Sequence, residues 1–129
     1  TLPDSLNNLT YLNNLLLSVN WLYGTIPSSL GSLSNLTILD LGTNNLDGTI
    51  PHSLYNITSL EILDFSNNRL TGTVAMDFFS LNKLVVLLLD FNYFSGTIPS
   101  WPLMPFLENL YVEGNKLDGK IPIPISNYS

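Results

Sequence analysis

Cysteine is absent from the 129 residues, so the chain has no disulfide framework, no thiolate metal site and no cysteine nucleophile. That absence leaves the compartment open, because disulfide-free domains occur on both sides of a membrane. Basic residues are scarce, with four Lys and Arg against ten Asp and Glu and a formal net charge of −6. A nucleic-acid groove works by releasing counterions to many cations, and an electrostatic membrane anchor needs the same excess, so both are excluded. Long apolar runs are missing too. The longest, Leu84 to Leu89, stops at Asp90, far short of the roughly 20 residues that span a bilayer. Thr1 to Leu12 lacks the basic start and apolar core of a signal peptide. Histidine occurs once, as His52 after Pro51, with no evident partner for a triad or a metal site, and no glycine-rich phosphate loop is present. Neither an enzyme nor a cofactor is expected.

Leucine and asparagine are abundant, with 27 and 16 copies, and they recur at a fixed period. Asn20, Asn44, Asn68, Asn92 and Asn115 are separated by 24, 24, 24 and 23 residues. Eight positions before each stands a leucine (Leu12, Leu36, Leu60, Leu84, Leu107), five before another (Leu15, Leu39, Leu63, Leu87, Leu110), and three before an apolar residue. Four positions after each stands a glycine (Gly24, Gly48, Gly72, Gly96, Gly119), and six after a β-branched residue that Pro27, Pro51, Ala75, Pro99 or Pro122 follows.

The alternation Leu-x-Leu is the period of a strand with one buried face, so Leu39–Leu41 and its equivalents should stack as a parallel sheet, one strand per coil. The asparagines carry donors and an acceptor to the turn where the chain bends inward. They read as a structural ladder whose loss would strand buried backbone groups at about 1–3 kcal/mol each. Glycine permits the bend after the strand, and the Thr-Ile or Thr-Val pair that follows favours a second short extended segment. Proline ends that segment and tilts the chain into a short helical turn at Ser28–Leu30 or His52–Leu54. The expected fold is an α/β-type repeat solenoid of about five coils.

The frame Leu-x-x-Leu-x-Leu-x-x-Asn-x-Leu-x-Gly-x-Ile-Pro, clearest in Leu36–Pro51, resembles the plant-specific class of leucine-rich repeats. That class occurs in the ectodomains of plant receptor kinases and receptor-like proteins and in polygalacturonase-inhibiting proteins. The stretch Ser95–Ser129 looks most like receptor-like proteins. The resemblance implies a parallel concave sheet, a protein or peptide ligand with a co-receptor beside it, and a cell-surface or extracellular glycoprotein of the secretory pathway serving defence or development. Ala75 in place of proline, the residue missing between Asn92 and Asn115, and Pro102 and Pro105 should make those convex turns irregular. The chain reads as one array over residues 1–129 without the paired-cysteine caps of such ectodomains, hence as a piece of a longer array.

Candidate binding residues are those that break the repeat's polar norm on the outer side of the concave strand. Leu88, Asp90, Phe91 and Tyr93 in one coil, with Tyr111 and Glu113 in the next, should form an aromatic and acidic patch, and Tyr is a frequent hot-spot residue. Asp40 and Asp64 only repeat the usual wording of the frame, and Leu16, Val19 and Trp21 form a smaller cluster. Asn8, Asn35, Asn56 and Asn127 open Asn-x-Ser/Thr sequons, of which this composition yields about three by chance.

The leading expectation is the binding module of an extracellular leucine-rich repeat receptor. A secreted inhibitor of a cell-wall-degrading enzyme such as polygalacturonase is the alternative, with acidic and aromatic residues blocking a basic cleft. The threonine column Thr25, Thr49, Thr73 and Thr97 also admits an ice-binding solenoid.

Overall fold

The computed structural model describes residues 1–100 and 104–120. Each coil starts with a short strand, and the five are β1 (Asn14–Leu16), β3 (Ile38–Asp40), β5 (Ile62–Asp64), β7 (Val86–Leu88) and β9 (Asn109–Tyr111). They pair in chain order as one parallel sheet. Equivalent residues stand opposite one another: Leu15 faces Leu39, Leu39 faces Leu63, Leu63 faces Leu87, and Leu87 faces Leu110. The register survives the missing residue, because Val86 still pairs with Asn109. The sheet register is thus unaffected by the deletion, and Pro102 lies outside the described residues.

The inward columns build the core. In the second coil Leu36, Leu39, Leu41 and Leu46 are fully buried, and their counterparts Leu60, Leu63, Phe65 and Leu70 follow in the third. Each such side chain contributes about 1.5–3 kcal/mol when taken out of water. Leu12, Leu17 and Leu22 of the first coil are only partly buried against this core, since a coil covers its apolar face only where a neighbour stacks on it.

A second flank carries β2 (Tyr23–Thr25), β4 (Asn45–Gly48), β6 (Arg69–Leu70), β8 (Ser95–Thr97) and β10 (Lys116–Asp118). The expected Thr-Ile segment is displaced here: the strands lie around or before the glycine, and Ile26, Val74 and Ile98 turn into the core instead. Burying a β-branched side chain stabilises more than one extra ladder bond, so the segment ends at or before the threonine. Pairing on this flank is skewed. Tyr23 faces Asn45 and Asp47 faces Arg69, a step of 22 residues within a repeat of 24. The flank is also split, β2–β4–β6 and β8–β10 being joined through a single bridge from Thr73 to Ser95.

Convex 3-10 turns follow, at Asp4–Asn8, Ser28–Ser32, His52–Asn56 and Met76–Ser80. Each begins after an extended residue: Pro27 and Pro51 have φ −70° and −65°, and Ala75 has φ −79°. The irregular turn expected at Ala75 does not occur, because the buried Phe78 anchors it and alanine reaches the same backbone conformation. Pro105 likewise sits in a turn that closes with Leu107 N–H donating to Met104 O at 3.2 Å. Among the described residues no helix is long and apolar enough to cross a membrane.

A candidate binding face on the concave sheet

The asparagine ladder links the coils from Asn44 to Asn115. The Asn68 amide donates to Leu41 O at 2.9 Å in the preceding coil and to Phe65 O and Ser66 O in its own, while its Oδ1 accepts from Leu46 N–H at 2.9 Å. Asn44, Asn92 and Asn115 repeat the pattern. The Asn20 side-chain amide bonds only carbonyls of its own coil, at Leu17 and Ser18. The ladder staples each strand end to the flank of the coil before it, and its role is structural.

Immediately before each ladder asparagine the backbone is left-handed: Val19, Thr43, Asn67 and Phe91 have φ of 55°, 51°, 52° and 52°, and Gly114 has 65°. The left-handed conformation of this column was not read from the sequence, although Asn67 and Gly114, the residue types that favour this region, stand in it. Hydrogen bonds to both neighbouring coils hold it. Phe91 N–H donates to Glu113 O at 2.8 Å, and Phe91 O accepts from Asn68 N–H at 3.2 Å. The turn thus lifts residue 91 outward at the C-terminal rim of the concave sheet.

Acidic side chains line that sheet. Asp40 and Asp64 face each other across β3 and β5. Ser18 Oγ donates to Asp40 at 2.8 Å, and Ser66 N–H donates to Asp64 at 2.8 Å. The Asp64 carboxylate sits over Gly42, where a Cβ would come within 2.9 Å of both its oxygens. Burial, chiefly, pushes the Asp64 pKa up, and the neighbouring charges of Asp40 and Asp90 add to it against the Ser66 hydrogen bonds. Among the described residues no group of three His, Cys, Asp or Glu side chains is placed to hold a metal ion.

The apolar part of the patch is only partly assembled as expected. Leu88 and Tyr111 are in register on β7 and β9. Phe91 follows on the rim, and Phe91 and Tyr111 are each about half exposed, at 50% and 51%. Asp90 and Glu113 are the residues just before Phe91 and Gly114. Tyr93 departs from this group: beyond the inward Asn92 its N–H donates to Leu70 O on the second flank, and Lys116 Nζ lies 5.2 Å above its ring. The reason is geometric, since the buried ladder residue separates the two sides of the turn. Leu16, Val19 and Trp21 are exposed on the first coil.

The remaining sequence candidates lie elsewhere. Asn8, Asn35 and Asn56 are exposed, with the Asn35 amide donating to Thr10 O at 2.9 Å; Asn127 lies outside the described residues, as does Pro122. His52 does have a partner, contrary to expectation: its Nδ1 is 3.7 Å from Asp77 Oδ2 of the next convex turn, and its ring meets Tyr55 edge-on. Both side chains are solvated, which makes this a surface contact between adjacent turns. Burial raises the Tyr55 phenol pKa, with a smaller contribution from Asp77. The threonines pack their methyls toward the glycines of the next coil, Thr25 toward Gly48 and Thr49 toward Gly72, a contact that accounts for the column without a ligand.

A family model described as leucine rich repeat matches residues 34–94, and a second of the same description matches residues 106–128. The chain belongs to the leucine-rich repeat family. No curated protein matches it. Among solved structures, the receptor PEPR1 with AtPEP1 is 42% identical with a TM-score of 0.87, over 94% of this chain and 17% of that one. The ectodomain of the receptor kinase SOBIR1 from Arabidopsis thaliana is 32% identical, TM-score 0.84, over 92% of this chain and 66% of that one. The Arabidopsis receptor kinase HAESA, crystallised with the peptide hormone IDA and the co-receptor SERK1, is 32% identical, TM-score 0.87, over 93% of this chain and 20% of that one. This leucine-rich repeat array thus resembles the extracellular, non-catalytic ectodomains of plant membrane receptors, and it spans a small part of the length of most of them.

Proposed function

We propose that this array is a ligand-binding stretch of an extracellular plant leucine-rich repeat receptor, and that it takes a peptide or protein on the concave sheet and its C-terminal rim. The observation that carries the reading is the pair of half-exposed aromatic side chains Phe91 and Tyr111, with the partly buried Leu88 in register with Tyr111. Soluble surfaces seldom leave adjacent aromatic side chains open without a contact to make. PEPR1 with AtPEP1 and HAESA with IDA and SERK1 are similar arrays of this fold in peptide complexes, which supports the same use here. Asp90 and Glu113 complete the proposed site, and Tyr93 lies on its flank.

The test is a selection of peptides that bind the wild-type chain, followed by titration of the winners against the variant Leu88→Ser, Phe91→Ser, Tyr111→Ser. Loss of two or three hot-spot contacts should weaken binding by about a hundredfold or more. Unchanged affinity, with the far-UV spectrum intact, would remove the concave face from consideration.

A further inference from the structure

The Phe91 ring is held in an unusual way. Its backbone is fixed in the left-handed region by hydrogen bonds to the coils on both sides. Its ring occupies the space where Gly114 has no side chain: a Cβ there would collide with Cδ1 and come 2.9 Å from Cε1 and 3.1 Å from Cγ. One part of the ring is therefore seated on the next coil, and the rest is open to solvent.

Charge on the concave strands and their turns has one sign. The concave strands and their turns carry Asp40, Asp64, Asp90 and Glu113 and no Lys, Arg or His. Arg69 and Lys116 lie on β6 and β10 of the second flank, Lys83 precedes β7, and Lys120 follows β10 and lines an open cavity with Glu113 and Gly114 without an ion pair between them among the described residues. No ion pair involving Asp90 or Glu113 forms among the described residues. A half-exposed aromatic ring with acidic residues immediately before it and before its seat complements a planar cation. A guanidinium stacks on such a face and divides its five donors between two carboxylates. An ammonium is compact, strongly hydrated and presents no plane.

Resting on the concave face being the ligand site, we infer that its C-terminal rim binds an arginine side chain of the partner, stacked on Phe91 and paired with Asp90 and Glu113. The partner is then a peptide or loop with arginine at the position that meets the last two coils. Gly114 is a positioning residue for the platform.

The probes are acetylated, amidated (Arg-Gly)4, (Lys-Gly)4 and (citrulline-Gly)4, titrated against the chain at low salt. The arginine peptide should bind about three- to tenfold more tightly than the lysine peptide, and the citrulline peptide should bind weakest. Phe91→Asn should abolish the arginine-over-lysine preference while keeping the weaker charge-driven binding. Asn67 already occupies the same left-handed position, so this variant keeps the fold, and its melting temperature should not fall. Asp90→Asn with Glu113→Gln should weaken both cationic peptides by about tenfold. Equal affinity for arginine and lysine, or a preference that survives Phe91→Asn, would overturn the inference. Selected peptides that lack arginine yet lose binding in Leu88→Ser, Tyr111→Ser would overturn it while leaving the concave site standing; peptides indifferent to that variant would overturn the site itself.

Discussion

Single residues in this chain are strained or charged against their preference where the repeat requires it. Thr43 is β-branched and yet left-handed, with φ 51°, a conformation that costs non-glycine residues roughly 1–2 kcal/mol. Replacing Thr43 by Asn, the residue at the equivalent position 67, should raise stability by about 1 kcal/mol in a urea melt. Asp64 is the second case. Its pKa is raised in the folded state, so the folded chain holds this proton more tightly than the unfolded one. Stability from this group is therefore fully present below the ordinary carboxylate pKa and declines as pH rises through the raised value. Asp64→Asn keeps an oxygen to accept from Ser66 N–H and removes the charge, so it should melt higher than wild type at pH 7, and the gap should close on acidification. Thermal melts at pH 7 and pH 3 check both ends.

At the scale of the element, the ladder and the turn make separate contributions. Asn68→Ala leaves the buried amide of Leu46 without a partner and takes one of two donors from the carbonyls of Leu41, Phe65 and Ser66, which keep Asn44, Asn92 and the Thr43 N–H; it should cost about 1–3 kcal/mol in a urea melt. Asn20→Ala, at an exposed position with two carbonyl contacts, should cost under about 1 kcal/mol by the same measurement. Ala75→Pro should stabilise by about 0.4–1 kcal/mol, because φ at −79° is within reach of the ring and the unfolded chain loses freedom. The strands, their parallel order and the ladder were all legible in the sequence, since a repeated column carries the same physical demand five times. The second flank was legible only roughly: which of Gly24, Thr25 and Ile26 lie in the strand depends on where Ile26 packs, and packing has no period of its own. The rim was legible least. Leu88, Phe91 and Tyr111 could be named from their apolar character, but the seat on Gly114 is a contact between two unlike residues in different coils, and Tyr93 was grouped with them by proximity in sequence alone.

For the whole molecule, each coil touches only its neighbours, so stability is close to a sum of coil interfaces. Leu39, Leu63 and Leu87 lie between covered faces, whereas Leu12, Leu17 and Leu22 are only partly buried. Hydrogen exchange should accordingly be slowest at the amides of Leu41, Phe65 and Leu70, and about 1–3 kcal/mol less protected in the first coil. The two flanks impose different rules on the stack. Equivalent residues stay opposite on the concave sheet, but on the second flank each coil pairs two residues out of step, a slide of about 6–7 Å along the strand at 3.2–3.4 Å per residue. A pile of coils sheared on one side only cannot rise as a straight prism; it must wind. Any partner that follows the concave face over several coils therefore has to curl with it, and a stiff straight helix laid along the array would leave the surface within a few repeats.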